Sequence, residues 1–342
     1  MSKFQKTIDD FYKNTNDNFK IKKYFYLKWD NQYLPSLNAY WTDERPKKIN
    51  FIEQVYCNNI KKGYYFYLCG LFSDINENEY KLSKDKTYKN IPYLKSHLQK
   101  SIRKQNENLS LQTTYHLFKL DLNELLRRLP IIMIEDLYLH ESFTTLIWLM
   151  IAYSVKKFKM KLYIYEWILG LVYVMCKIDK KDEINENLNN KNGLKEILDN
   201  YNDLEEYQLS ILYCMHFRNI YGLMEGDKIM ISKFANTWED RFRNNKEKID
   251  NTEIKPIKIF IKEMNIDDWD VSAIDFHCNT KILEYLHNKF DHIDKDELKK
   301  LIWCNSSSIN KRKKSTIYKP ELWNEIKNYL KKTQKYLLDS SY

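Results

Sequence analysis

Glycine and proline number six each among 342 residues, whereas the two together make up about 12% of an average chain. A many-stranded fold needs both in its turns, glycine for positive φ and proline for a pre-set φ. Their scarcity predicts a mainly α protein: a multi-helix globular fold with an irregular or small α+β N-terminal subdomain. Apolar residues at 43% and aromatics at 15% suffice for a real core in a chain of one large or two ordinary domains.

In the N-terminal mixed region, residues 1–90, Phe4 to Tyr12 has helical spacing. Ile21 to Trp29 and Tyr64 to Phe72 are aromatic runs of strand length, while Pro35 and Pro46 punctuate an irregular stretch holding Tyr40 and Trp41. Residues 91–180 read as a helical core region. Helices are expected over Tyr93 to Arg103, Leu109 to Phe118 and Asp121 to Leu129, the last opened by a capping box of Asp121 with Glu124 and ended or kinked by Pro130. Glu141 to Val155 and Lys161 to Ile178 are two strongly apolar helices, expected as a buried hairpin. The first is short and Glu166 interrupts the second, so neither supplies the ~20 apolar residues of a membrane span, and no membrane partner is expected. Residues 181–202, dense in Asp, Glu, Asn and Lys, read as a linker or solvated loop. The remainder, 203–342, is a C-terminal helical region with a basic tail. Its stripes Leu204, Tyr207, Ile211, Met215 and Met230, Phe234, Trp238, Phe242 mark amphipathic helices, and a terminal helix begins at Pro320.

Several chemistries are missing. No phosphate loop, dinucleotide fingerprint, nucleophile elbow, H-E-x-x-H or EF-hand spacing occurs, and six cysteines at 57, 69, 176, 214, 278 and 304 form no C-x-x-C. A reducing cytoplasm or nucleus is expected, with no cofactor and no metal. The densest polar cluster is Asp275-Phe276-His277-Cys278. On a strand Asp275 and His277 share a face, as an acid-oriented histidine requires; on a helix they diverge, and Ser272 with Asp275 matches a capping box. The helix-cap reading is preferred, with a hydrolase or transferase using Asp275 and His277 as the enzymatic alternative.

Charge divides unevenly. Residues 1–90 and 91–180 each carry a net +5, residues 181–300 carry −7, and residues 301–342 carry +6. Two places suit a polyanion. Lys95, Gln99 and Arg103 recur every fourth residue beside Lys100 and Lys104, giving a cationic helix face with His97 near its edge. The second is Asn305 to Thr316, where Lys311, Arg312, Lys313 and Lys314 would neutralise phosphates and Tyr318 and Trp323 lie close enough to stack on bases.

One stretch goes beyond pattern. Ser101-Ile102-Arg103, Tyr115-His116-Leu117-Phe118, Leu126-Arg127-Arg128-Leu129-Pro130 and Ile134-Glu135-Asp136-Leu137 resemble, in order and spacing, the helical collar of the RarA, MgsA and Werner-interacting ATPases. The resemblance spans about forty residues. It implies a helical oligomerisation region of a replication-fork protein, with Arg127 or Arg128 paired to Glu135 or Asp136 across adjacent helices. That family's ATPase module should precede the collar, and residues 1–90 hold no phosphate loop, so ATP-driven activity is not expected. The resulting expectation is a non-enzymatic helical accessory protein that oligomerises or binds a replication partner and contacts DNA or RNA. The alternative is a structural protein without nucleic-acid binding, whose apolar helices between Ser142 and Ile178 form a homo-oligomer interface.

Overall fold

The computed structural model describes residues 24–29, 38–56, 65–72, 82, 90–154, 158–185, 204–220, 225–245, 247–259, 269–275 and 280–340. The helix expected over Phe4 to Tyr12, Cys57 and most of the 181–202 linker lie outside the described residues. The architecture is mainly α with a small α+β N-terminal part, as the glycine and proline counts predict.

Four strands, β1 (Tyr24–Lys28), β2 (Ala39–Thr42), β3 (Phe51–Tyr56) and β4 (Tyr65–Leu71), form one sheet in the order β2-β1-β4-β3. β1 runs antiparallel to β2 and parallel to β4, and β3 is antiparallel to β4. One face is welded to the helices by tryptophans. The Trp148 indole donates to the carbonyls of Phe25 and Cys69 at 3.2 and 3.1 Å, and Trp41 stacks between Phe25 and Phe217 with centroids 4.5 and 4.6 Å away.

Ten α-helices follow among the described residues: α1 (Ile91–Arg103), α2 (Glu107–Leu120), α3 (Leu122–Asp136), α4 (Phe143–Ser154), α5 (Leu162–Lys177), α6 (Glu206–Ile220), α7 (Glu225–Asp240), α8 (Thr280–Lys289), α9 (Lys295–Ile302) and α10 (Pro320–Ser340). Their starts follow cap chemistry. The side chains of Asn90, Asn106 and Asp121 accept from the N–H groups of Tyr93, Leu109 and Glu124 at 3.0, 3.1 and 3.0 Å, satisfying donors that a helix start leaves orphaned. Between α1 and α2, Gln105 sits at φ 52°. Its N–H donates to Ile102 and that of Asn106 to Ser101, a left-handed helix stop made without glycine.

Pro130 neither ends nor breaks α3, which runs on to Asp136. A proline inside a helix costs roughly 3 kcal/mol. The turn after it buries Ile131, Ile132, Met133 and Ile134, and at about 1.5 to 3 kcal/mol for each buried aliphatic side chain that burial outweighs the break. The apolar hairpin is corrected as well. α4 lies against α3, α6 and the sheet, whereas α5 lies against α2 and α1. α4 is buried on every side from Phe143 to Ala152, so it offers no surface to an oligomer interface, whereas Leu162 and Tyr173 of α5 are exposed.

One apolar core takes residues from Phe25 to Ala273 and also Leu338; a second, smaller cluster, Ile282 to Leu330, fills the space among α8, α9 and α10. The break in packing therefore falls beyond Ala273. Of residues 181–185 at the start of the expected linker, Glu183 and Asn185 are exposed and Asp182 is not. Asp182 is buried, accepts from the Leu139 N–H and the Trp238 indole at 2.9 and 3.2 Å, and pairs with Arg241. No helix among the described residues is long and apolar enough to cross a membrane.

Candidate functional site

The two segments chosen for a polyanion do meet. The Lys311 N–H donates to the Arg103 carbonyl at 3.0 Å, at the C-terminal end of α1. On α1, however, the polar heads nearest the junction turn inward. Gln99, Lys100 and Arg103 are 0, 2 and 4% exposed, because α1 is packed by α2, α3 and α5 as well as by the turn at Val271–Asp275.

Asp136 is the centre of this junction. Arg103 donates through Nε to Asp136 Oδ1 at 2.6 Å and through Nη2 to Glu135 Oε1 at 3.0 Å, while its Nη1 reaches the Ser307 carbonyl at 3.0 Å. Gln99 Nε2 donates to Asp136 Oδ2 at 2.6 Å and Glu135 Oε2 at 2.8 Å, and its Oε1 accepts from Arg128. Lys181 stands 3.8 Å from Asp136 Oδ1, and Asn310 Nδ2 donates to the Asp136 carbonyl at 3.0 Å. Burial holds the Asp136 carboxyl above the usual carboxylate range, and Arg103 offsets only part of that rise.

Of the expected partners Arg127 or Arg128 with Glu135 or Asp136, Arg128 feels the charge of both carboxylates, seven and eight positions along the same helix because Pro130 does not break α3. Arg103 on the crossing helix makes direct ion pairs with both. Arg128 joins through Gln99, and Arg127 accepts from Arg218 at its carbonyl at 2.7 Å.

Arg312 is likewise internal. It donates to the carbonyls of Ile178 and Met175, both at 2.6 Å, and of Ile102 at 2.9 Å, closing the C-terminal ends of α5 and α1, where unpaired carbonyls and the helix dipole favour a cation. Lys95 pairs with Glu124 at 2.5 Å and Lys104 with Asp270. Lys311, Lys313 and Lys314 remain exposed. Tyr318 is half-buried, with the Lys300 and Lys319 ammonium groups 4.7 and 5.6 Å from its ring.

His97 is not at a helix edge but fully buried. Its Nε2 accepts from the Asp270 N–H at 3.0 Å and its Nδ1 lies 2.7 Å from Thr113 Oγ1, whose own proton goes to the Leu109 carbonyl. The ring is therefore neutral with its proton on Nδ1, and burial holds its pKa down at about 4. Asp270 is opposed by burial, yet Lys104, Ser272 and Lys100 keep its carboxyl at about 2.

Asp275 ends a 3-10 turn, Val271–Asp275, and Ser272 donates to Asp270 Oδ1 at 2.7 Å rather than acting as the expected cap. His277 and Cys278 lie outside the described residues. Among the described residues no group of three or more His, Cys, Asp or Glu is placed to hold a metal.

Two cavities flank these elements. One of about 780 Å³ lies between β2 and the starts of α4 and α6, walled by Tyr40, Tyr207, Glu141 and Glu206. The other, about 380 Å³, lies between Lys104 with Asp270 and the face of α10 that carries Trp323, Lys327, Lys331 and Gln334. Sequence reasoning missed the second because Lys331 reads as a complement to the helix dipole; the available signal was the 4-4-3 spacing of those four residues. Comparison with protein-family models, curated proteins and solved structures finds no match.

Proposed function

We propose that the protein is a non-enzymatic helical accessory protein that contacts DNA or RNA through the Lys311–Lys314 loop. The observation that carries this reading is the alternation within the loop. Arg312 is anchored inward on two helix ends while Lys311, Lys313 and Lys314 are exposed, so three ammonium groups sit on a backbone already fixed. Fixing the loop beforehand lowers the entropy lost on binding. Lys313 has Glu183 at 4.0 Å, with both side chains exposed, a contact worth about 0 to 1 kcal/mol that a phosphate displaces at little cost. The buried face of α1 has no part in this interface. Its role is to hold the loop, and the resemblance to the replication-fork collar adds a replication or repair context.

Salt-titrated binding to single- and double-stranded oligonucleotides tests the proposal. Affinity should fall linearly on a log–log plot, and the Lys311→Ala/Lys313→Ala/Lys314→Ala variant should flatten the slope by about 2 to 3. Absence of binding at about 50 mM salt refutes it.

A further inference from the structure

We propose that the cavity of about 380 Å³ beside the Lys311 loop is a binding subsite for a phosphate-bearing ligand with a flat aromatic part, the chemistry of a nucleoside monophosphate. The inference does not need the preceding reading, since a free mononucleotide and the phosphorylated end of a strand both supply that chemistry. The volume lies within the range of small-molecule pockets. Trp323, Lys327, Lys331 and Gln334 follow one another on α10 at spacings of four, four and three, so one helix face carries an aromatic ring, two ammonium groups and an amide.

Three properties of these residues point to a ligand. Asp270, the one carboxylate in the wall, is engaged by Lys104 and Ser272, whereas Lys327 donates to the neutral Asn324 Oδ1 at 2.7 Å and neither it nor Lys331 is ion-paired among the described residues. The wall thus keeps uncompensated positive charge. Gln334 is 3% exposed, and its Nε2 has no hydrogen-bond partner. A buried donor left so carries its full desolvation cost, and a phosphate oxygen or base carbonyl would relieve it. Trp323 is half-buried, packed against the α8–α10 core on one side and lining the cavity on the other with no stacked ring among the described residues, which leaves its cavity side to a base.

The test titrates the full chain, by calorimetry at low salt, with adenosine 5′-monophosphate, adenosine, inorganic phosphate, and one oligonucleotide carrying either a 5′-phosphate or a 5′-hydroxyl. The monophosphate or the 5′-phosphorylated strand should bind at least tenfold more tightly than its phosphate-free counterpart. Tighter binding of the mononucleotide identifies a free ligand, and tighter binding of the strand identifies a strand end. Lys327→Ala/Lys331→Ala, confined to exposed side chains, should weaken that binding at least tenfold, and Gln334→Leu about fivefold; should the latter unfold, the lysine pair decides. No saturable binding of any phosphate-bearing probe, equal binding of adenosine and its monophosphate, or binding indifferent to the lysine pair overturns the proposal. Oligonucleotide binding that survives the cavity variant but is lost with Lys311, Lys313 and Lys314 sinks this inference and leaves the preceding one standing. The opposite pattern does the reverse.

Discussion

Asp136 and Glu135 are neighbours in sequence with opposite energetic weight. Asp136 has a side chain 1% exposed, while that of Glu135 is 32% exposed. Asp136→Asn leaves the buried Arg103 guanidinium without its closest anion, and removal of one partner from a buried pair costs about 3 to 5 kcal/mol. Glu135→Gln should cost about 0 to 1 kcal/mol. Urea melts of the two variants check this, and equal losses would mean that the junction is wetter than its geometry indicates. The buried histidines give a pH dependence at the same scale. Burial holds His97, His116 and His216 at about 4, against an ordinary 6.5. Between those values the unfolded chain binds protons that the folded one refuses, so stability is complete above pH 6.5 and is lost as pH falls towards 4. Each histidine contributes on the order of 3 kcal/mol across that window. Melting temperature measured from pH 7 to 4 should fall steeply, and His97→Asn should make the fall shallower. At this scale polarity was legible in the sequence, but the direction in which each side chain faces was not. Arg103 and Gln99 were legible as polar, yet the Leu94, Leu98, Ile102 stripe beside them gives no sign that a second flank of α1 is also covered.

Gly170 shows how an element's packing can rest on one missing methyl group. It lies mid-way along α5, and a Cβ there would be driven into the Lys255 carbonyl, part of a segment whose Ile257 N–H donates to the Glu166 carbonyl at 3.0 Å. The backbone of that segment approaches the helix as closely as glycine permits. Gly170→Ala gains helix propensity in isolation but here should destabilise by about 1 to 3 kcal/mol through overpacking, read from the denaturation midpoint; a stabilised variant would mean that the segment detaches freely. Helices were legible because their caps and stripes are local: Asp121 with Glu124 is a four-residue signal. Strands β2 and β3 were not. Ala39–Thr42 is only four residues long, and Ile52, Gln54 and Tyr56 on the edge strand β3 are exposed, so neither offers the apolar contrast from which a strand is read. The course of α3 through Pro130 was hidden for a related reason: proline's cost is local, whereas the burial that offsets it comes from the rest of the fold.

The α8–α10 cluster is joined to the main body where α10 packs on the Val271–Asp275 turn and by polar bonds made at the α1–α3 junction. Its core of Ile282, Leu286, Ile293, Leu298, Leu301, Ile302, Ile326 and Leu330 is separate, and Leu338 alone among the buried apolar residues of α10 belongs to the larger core. The loop entering α10 is tied down by Arg103 to Ser307, Asn310 to Asp136, Lys311 to Arg103 and Arg312 to three carbonyls. A small cluster with a separate core should open before the body does. Native-state hydrogen exchange should therefore give α8, α9 and the first half of α10 a shared opening free energy below that of α4 and α5. Arg312→Lys should lower it further, because a lysine ammonium cannot reproduce the planar fork that spans the ends of α1 and α5. The exposed lysines of that loop and the cavity against α10 would then share one mobile unit, and oligonucleotide or mononucleotide binding should raise its protection while leaving α4 unchanged. Uniform exchange across both clusters, or an Arg312→Lys variant that weakens α4 as much as α9, would show instead that the chain unfolds as a single cooperative body and that the junction is no hinge.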